Sequence, residues 1–301
     1  MTSNQPTSSP PPDEATLKTE KRAELGEIVV FIDGHIKTPT ILEFAGVLAE
    51  EHGARLIAVF LQPGPTLTTA QEFARGAGMR EVMEVHQKEI EGIEAHHRAL
   101  FENILRRRGV QSGSEWRSLS RWGSEVAVHA YYADLVVAAR PERPSPSPDP
   151  PGLAESLVLS SGRPVILFPP SGTVSQVRRS LVAWNATRES IRAVADALPL
   201  LARATVEVLI VDHERQRARH GQEPGADIAR HLARHGAQVE VQRLSSGGKD
   251  VGQLLLSQAA AFRADLLVMG AYGHSTLREW MFGGVTRTVL YEAGLPVLMS
   301  R

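Results

Sequence analysis

The sequence predicts an α/β fold made of two tandem domains, each with an open parallel sheet of about five strands. Two observations lead to this prediction. Short apolar, strand-like runs alternate with helical patterns along nearly the whole chain, an order that is typical of parallel sheets covered by helices on both faces. The same order of elements then occurs a second time, which indicates a tandem duplication.

The first repeat follows a polar, proline-rich tail over residues 1–24, which is predicted to be disordered. Its elements alternate between the periodicities of strands and helices, and glycines follow two of the helices. The predicted strands are 27–34, 54–61, 115–120, 134–140 and 163–170, and the predicted helices are 39–52, 69–108, 124–132 and 153–161. Residues 25–170 therefore form the first predicted domain, and residues 171–177 form a linker.

The second repeat, residues 178–301, is the second predicted domain. Its predicted strands are 180–186, 205–212, 239–244, 266–269 and 294–300, and its predicted helices are 188–203, 225–235, 250–262 and 284–293. The registers of the two halves agree, because the tripeptides that begin at Ala133 and at Ala264 are both Ala-Asp-Leu and lie 131 residues apart. Ligands of such sheets bind outside the carboxyl ends of the strands, where Asn185, Asp212 and Gly270 are expected to converge.

Composition excludes several classes of function. Lys and Arg number 33 against 34 Asp and Glu, so the net charge of −1 provides no basic surface for nucleic acid or for an anionic membrane. The chain has no cysteine, which excludes disulfides, thiol nucleophiles and cysteine metal sites. No apolar stretch approaches the roughly 20 residues of a membrane span, and the first residues lack the apolar core of a signal peptide. A cytoplasmic protein is expected.

The stretch from Ala264 to Thr286, ADLLVMGAYGHSTLREWMFGGVT, has the pattern of a phosphate-binding loop. An apolar strand ends at Gly270, and glycines follow at 273, 283 and 284, where a helix is predicted to begin. Glycines let a ligand approach main-chain N–H groups, and the start of a helix adds free N–H groups and a positive dipole end. Arg278 and Arg287 are candidates to neutralise an anion's charge. The competing interpretation is that the glycines only form turns.

These residues resemble the nucleotide loop of universal stress proteins. The shared pattern is G-x-x-G, nine further residues, and then G with a small residue, set between the fourth strand and the PVL of the closing strand. The segment LVAWNATRES at 181–190 resembles the opening strand and helix of the family. The resemblance covers both halves of the chain and implies a tandem member of the family, with two Rossmann-like domains of the adenine nucleotide alpha hydrolase-like type.

In ATP-binding members, the resemblance implies, the nucleoside lies near the ends of the first two strands and the phosphates lie in the glycine loop. By position, the nucleoside would contact Ala183 and Asn185, and the adenine edge would contact Val211. The ribose and phosphates would contact Gly270, Gly273, Gly283, Gly284, Val285 and Thr286. His274 lies inside the loop and is a further candidate for a phosphate contact, and the competing interpretation is a plain exposed loop residue. The implied cofactor is ATP, with Mg²⁺ as an optional companion.

Two positions depart from the family pattern. Gly284 stands where Ser or Thr is usual, which removes one hydroxyl but no backbone N–H, and Asn185 stands where binding members commonly have Asp. Losing one hydrogen bond costs about 0.5–1.5 kcal/mol, so weakened rather than abolished binding is expected. In the first half, the equivalent of the glycine loop is ARPERPSPSPDPPGL, and proline has no N–H to offer a phosphate. We therefore predict that the first half does not bind nucleotide and packs against the second as a built-in dimer partner.

Three functions remain open from the sequence. The first is a stress-response factor that binds ATP or a related adenine nucleotide in its second domain, the second is a non-binding protein that acts through protein contacts, and the third is an enzyme of a related adenine-binding fold. No general base or nucleophile stands beside the loop, so at most slow ATP hydrolysis and no catalytic residue are expected. His231 and His235 have the i, i+4 spacing of metal ligands, but flanking arginines favour a solvated helix face, and no metal site is predicted. A homodimer of the whole chain also stays open.

Overall fold

The computed structural model describes residues 25–32, 38–63, 77–110, 112–119, 124–141, 152–170, 172, 176–216, 223–271 and 284–301. The predicted tail and the proline-rich segment 142–151 lie outside these ranges. Within them, no helix is both long enough and apolar enough to cross a membrane.

The first half has the alternating strands and helices that the sequence predicts, with one change of helix type. Its strands are β1 (Glu27–Ile32), β2 (Arg55–Leu61), β3 (Glu115–Leu119), β4 (Leu135–Ala139) and β5 (Val165–Phe168), and its α-helices are α1 (Thr38–His52), α2 (Ala77–Arg108) and α3 (Leu153–Ser160). The helix predicted over 124–132 is a 3₁₀ helix at Ser124–Ala130. Val126 and Val128 are β-branched, which lowers the preference for an α-helix, and short connecting helices often take the tighter 3₁₀ form.

The second half repeats the order of the first. Its strands are β6 (Arg179–Ala183), β7 (Thr205–Val211), β8 (Gln238–Leu244), β9 (Leu266–Gly270) and β10 (Val297–Ser300), and its α-helices are α4 (Arg188–Leu201), α5 (Ala226–Arg234), α6 (Val251–Phe262) and α7 (Gly284–Glu292). Side chains cap two of these helices: the Thr187 hydroxyl accepts from the N–H of Ser190 at 3.4 Å, and the Asp250 carboxylate accepts from the N–H of Gln253 at 2.8 Å. The sequence predicts a cap at Asp250, because aspartate is favoured directly before the first helical residue, and the structure confirms it.

The ten strands of the described residues form one sheet in the order β3-β2-β1-β4-β5-β10-β9-β6-β7-β8. Reading inward from either edge gives the same order of elements, and neighbours within each half are parallel. The halves meet where β5 and β10 pair antiparallel, with Ile166 opposite Leu298. Both of these side chains are fully buried.

Helices cover both faces of the sheet. One apolar core lies beneath α1, α2, α4 and α5 and continues across the β5–β10 junction. The other lies beneath the 3₁₀ helix, α3, α6 and α7. The inner strands are therefore buried on both faces, which explains why their sequences are mostly apolar rather than alternating, whereas the edge strands β3 and β8 are only partly buried.

An aspartate joins two strands in the same way in each half. Asp134 Oδ2 accepts hydrogen bonds from the N–H groups of Gly26 and Glu27, at 2.8 and 3.0 Å. Asp265 Oδ2 accepts from the N–H groups of Arg178 and Arg179, at 3.0 and 2.9 Å. These are the two aspartates whose registers agree in the sequence, and each holds the start of the fourth strand of its half against the start of the first.

Replacing Asp265 by Ala should lower the free energy of unfolding by about 1–2 kcal/mol, because two backbone N–H groups lose a charged acceptor. Asp265→Asn keeps an acceptor oxygen and should lose less than half as much. Urea denaturation of the two variants and the wild type measures both values. Equal losses in the two variants would mean that Asp265 does not act through these hydrogen bonds.

Candidate functional site

The predicted site lies at the carboxyl edge of the second half's sheet. Ala183 ends β6 and is paired with Leu209 of β7 on one side and with Met269 of β9 on the other. Strand order reverses at β6, because β7 follows it on one side while β9 adjoins it on the other. Crevices at such reversals are the usual ligand sites of open α/β sheets. The structure therefore brings together the ends of β6, β7 and β9.

Helix α7 also begins at this edge. It connects β9 to β10, and those two strands are parallel neighbours. A connection between parallel strands leaves the carboxyl end of one and returns to the amino end of the next, so Gly284 lies on the side of the strand ends and Glu292 on the opposite side. The first four N–H groups of an α-helix have no partner within the helix, and they carry its positive dipole end.

Asn185 forms a tight turn after β6. Its side-chain oxygen accepts hydrogen bonds from the Thr187 N–H at 3.2 Å and from the Thr187 hydroxyl at 2.9 Å, while Ala186 between them takes a left-handed conformation with φ of +53°. Thr187 in turn caps α4. Asn185 therefore positions the start of α4, and its side chain is exposed at the edge. An aspartate could accept the same two bonds, so Asn preserves the turn and removes only the negative charge.

The end of β7 is fixed by a carboxylate. Asp212 follows half-buried Val211 in a left-handed conformation, with φ of +53°. Its Oδ1 accepts from the N–H of Ser246 at 2.8 Å, and its Oδ2 accepts from the hydroxyl of the same residue at 2.7 Å. The sequence predicts that Asp212 lies at this edge, but it does not identify the hydrogen-bond donors. The serine lies in the loop after β8, so Asp212 fixes that loop to the end of β7.

Gly270 has a packing role that sequence analysis did not identify. A Cβ at this position would lie 2.5 Å from the carbonyl carbon of Glu189 and 2.6 Å from the nitrogen of Ser190. The end of β9 thus passes directly against the first turn of α4, and only glycine allows this approach. The sequence-based interpretation assigned Gly270 to a turn and to ligand approach, whereas the structure shows close contact with a neighbouring helix.

The first residues of α7 differ in their surroundings. A Cβ on exposed Gly284 would meet no atom of the described residues within 4 Å, Val285 is half-buried, and Thr286 is buried. Gly284 is therefore not required for packing, and a side chain there would extend into open space. The remaining predicted loop residues, Gly273, His274 and Gly283, lie outside the described residues, as does Arg278.

No cluster of three or more potential metal ligands occurs among the residues that the structure describes. The rings of His231 and His235 meet edge to face with centroids 4.8 Å apart, and both residues are exposed. Partial burial lowers the pKa of His231, and the nearby His235 and Arg234 lower it further. The interpretation of this pair as part of a solvated helix face is confirmed.

Comparison with known families gives the assignment. The sequence model of the universal stress protein family matches residues 177–301, the segment that carries the whole site described above. The second half of the chain therefore matches the universal stress protein family over its whole length.

Solved structures extend the likeness to the fold of the first half. A universal stress protein from Archaeoglobus fulgidus DSM 4304 is 14% identical, covers 91% of this chain and 96% of its own, and superposes with a TM-score of 0.64. A Pseudomonas aeruginosa PAO1 protein described as functionally unknown is 16% identical, covers 92% of each chain, and has a TM-score of 0.56. Identities this low show a shared fold, and both structures cover the two halves of the chain.

One further match is a universal stress protein solved in complex with cAMP, which is 22% identical over 42% of this chain and 98% of its own. Its TM-score of 0.34 is too low to transfer any property. Comparison with curated proteins finds no significant relative.

Two glycine substitutions in the second half compare the close packing at Gly270 with the open surroundings of Gly284. Gly270→Ala should lower the free energy of unfolding by about 1–3 kcal/mol, because its methyl group overlaps the backbone of α4. Gly284→Ala should leave it unchanged or raise it by up to about 1 kcal/mol, since the methyl group meets open space and alanine favours a helix. Denaturation in urea without nucleotide compares them. A Gly270→Ala variant as stable as wild type would contradict the packing role.

Proposed function

We propose that the second half, residues 178–301, binds ATP or a related adenine nucleotide, and that the chain works as a nucleotide-responsive stress-response factor in the cytoplasm. The observation that carries this proposal is the position of α7: it begins at the same edge of the sheet as the ends of β6, β7 and β9, within the segment that matches the family. Helix starts of this kind attract phosphate.

Each predicted residue has a proposed role. Ala183 and Asn185, at the end of β6, would contact the nucleoside, and Val211, at the end of β7, would contact the adenine edge. The ribose and phosphates would contact the end of β9, the loop and the start of α7, through Gly270, Gly273, His274, Gly283, Gly284, Val285 and Thr286. Because Gly270 is already packed against α4, its contribution would come from its backbone rather than from open space around it.

Asn185 governs the metal requirement in this proposal. Its side-chain oxygen already accepts two hydrogen bonds from Thr187, and a neutral amide attracts Mg²⁺ less than a carboxylate does. Any Mg²⁺ would therefore be held by the phosphates of ATP rather than by this side chain. ATP should bind with or without the metal.

In this proposal, the first half binds no nucleotide. We propose domain limits of 25–170 and 178–301 with a linker at 171–177, because each range encloses five strands and their covering helices. The antiparallel β5–β10 pairing supports a role for the first half as a built-in dimer partner. The expected lack of nucleotide binding rests on the sequence, because residues 139–151 contain prolines where the second half has glycines.

A second candidate function is a universal stress protein that binds no nucleotide and acts through protein contacts. The engagement of the Asn185 oxygen within its own turn favours this alternative, as does the missing hydroxyl at Gly284. The two candidates differ in whether the wild-type protein binds ATP.

Substitutions at Gly284 test the site, because any side chain there meets open space. Gly284→Asp should weaken ATP binding about tenfold or more, since a carboxylate near a phosphate is repelled by roughly 1–4 kcal/mol. Gly284→Ser restores a hydroxyl and should tighten binding by about 2- to 10-fold. Isothermal titration calorimetry with ATP, in the presence and absence of Mg²⁺, measures both effects.

The control for this experiment is Gly294→Asp. It adds the same charge at another glycine whose Cβ would meet open space, but beyond the opposite end of α7. Its ATP affinity should equal that of the wild type. Equal weakening by both aspartates would exclude the loop as the site, and a wild type that releases no heat at millimolar ATP would favour the second candidate.

A further inference from the structure

Arg140 of the first half contacts the last turn of α7 in the second half. Its Nη1 donates to the carbonyl oxygen of Tyr291 and lies 3.4 Å from the carbonyl oxygen of Leu290. The last four carbonyl groups of an α-helix have no partner within the helix and carry its negative dipole end. A guanidinium at this position both satisfies these acceptors and opposes the dipole.

Ala271 is the residue of the second half that is equivalent to Arg140. The main-chain N–H of Arg140 donates to the carbonyl of Phe168 at 2.8 Å, and that of Ala271, 131 residues later, donates to the carbonyl of Ser300 at 2.8 Å. Both residues directly follow the fourth strand of their half, and both donate to the last residue of the fifth strand. The backbone frame is therefore the same, but the Arg140 side chain reaches the other half, whereas Ala271 carries only a methyl group.

A second contact holds α7 from the same side. The Tyr291 hydroxyl donates to Glu155 Oε1 of α3 at 2.8 Å, and the Glu155 side chain is almost fully buried. Burial and this carboxylate raise the pKa of the Tyr291 phenol, so the phenol stays protonated and remains the donor. Because a buried carboxylate is costly without a partner, this hydrogen bond fixes the relative positions of α3 and α7.

Helix α6 holds α7 from within its own half. Gln253 Nε2 donates to Glu292 Oε2 at 2.5 Å, and a Cβ on Gly252 would lie 2.6 Å from the Cβ of Thr288. Helix α7 is thus confined between α6 on one side and Arg140 with Glu155 on the other. A nine-residue helix is a rigid rod of about 13 Å, so a shift of its last turn moves its first turn as well.

We propose that Arg140 is a positioning residue through which the first half fixes α7, and with it the phosphate end of the second half's site. The effect on nucleotide affinity rests on the proposed function, whereas the ordering of α7 does not. The first half would then contribute to the site of the second half. Arg140, which stands at the position equivalent to Ala271 and begins the proline-rich segment, would support that site through α7.

The test compares Arg140→Ala with Arg140→Lys and with the control Arg163→Ala in the full chain. Arg163 is a matched control because its Nε donates to the carbonyl of Tyr131 at 2.7 Å, a similar bond that stays within the first half. Hydrogen–deuterium exchange of peptides from 284–292 reports on α7, ATP titration reports on the site, and urea denaturation reports on global stability.

Arg140→Ala should speed exchange in 284–292 by about tenfold relative to peptides from β4 and β5, and should weaken ATP binding by about 3- to 10-fold. Arg140→Lys keeps a charged donor, so exchange in 284–292 and ATP affinity should both stay close to the wild-type values. Arg163→Ala should change neither quantity. Because exchange is compared between peptides of one sample, a uniform loss of stability is not mistaken for a local effect.

Unchanged exchange in 284–292 for Arg140→Ala would overturn the proposal, as would faster exchange with an unchanged ATP affinity. If the wild type binds no ATP, the proposed function fails separately. In that case, local exchange decides alone whether Arg140 fixes α7. Should Arg140→Ala fail to fold, Tyr291→Phe removes the other contact between the halves at α7 and is expected to speed the same exchange.

Discussion

The antiparallel pairing of β5 with β10 is the contact on which the rest of the molecule depends. Each half alone would leave a largely apolar closing strand at the edge of its sheet, and such edges tend to pair with other chains. Joining the two edges buries Ile166 and Leu298 completely and lets a single core continue across the junction. It also places α3 beside α7 on one face, which makes the Glu155–Tyr291 hydrogen bond possible.

The two halves keep one backbone plan and differ in what they add to it. Asp134 and Asp265 hold equivalent strands through equivalent hydrogen bonds, and Arg140 and Ala271 take the same place beside the fifth strand. The proposed division of labour arises at the carboxyl edge, where one half follows its fourth strand with glycines and the other with prolines. The two halves therefore share one framework, and the proposed difference in function lies in the loops.

Sequence patterns predicted the order of strands and helices because strands buried on both faces must be apolar and helices must present an apolar face. They also predicted the Asp250 cap, which depends on residues three positions apart. They did not predict the packing of Gly270 against Glu189 or the reach of Arg140 to Tyr291. These contacts join residues that are distant in the chain, so no local pattern encodes them. The 3₁₀ form of residues 124–130 was missed because its buried positions also fit an α-helix.

The central claim is that one half binds nucleotide while the other supports it. Native mass spectrometry of the intact chain, incubated with ATP and then transferred under gentle conditions, counts bound nucleotides directly. The account predicts one ATP for each chain over the full range of saturating concentrations. Two bound ATP molecules for each chain would contradict the prediction that the first half binds no nucleotide. A chain without any bound ATP would contradict the proposed site at the start of α7.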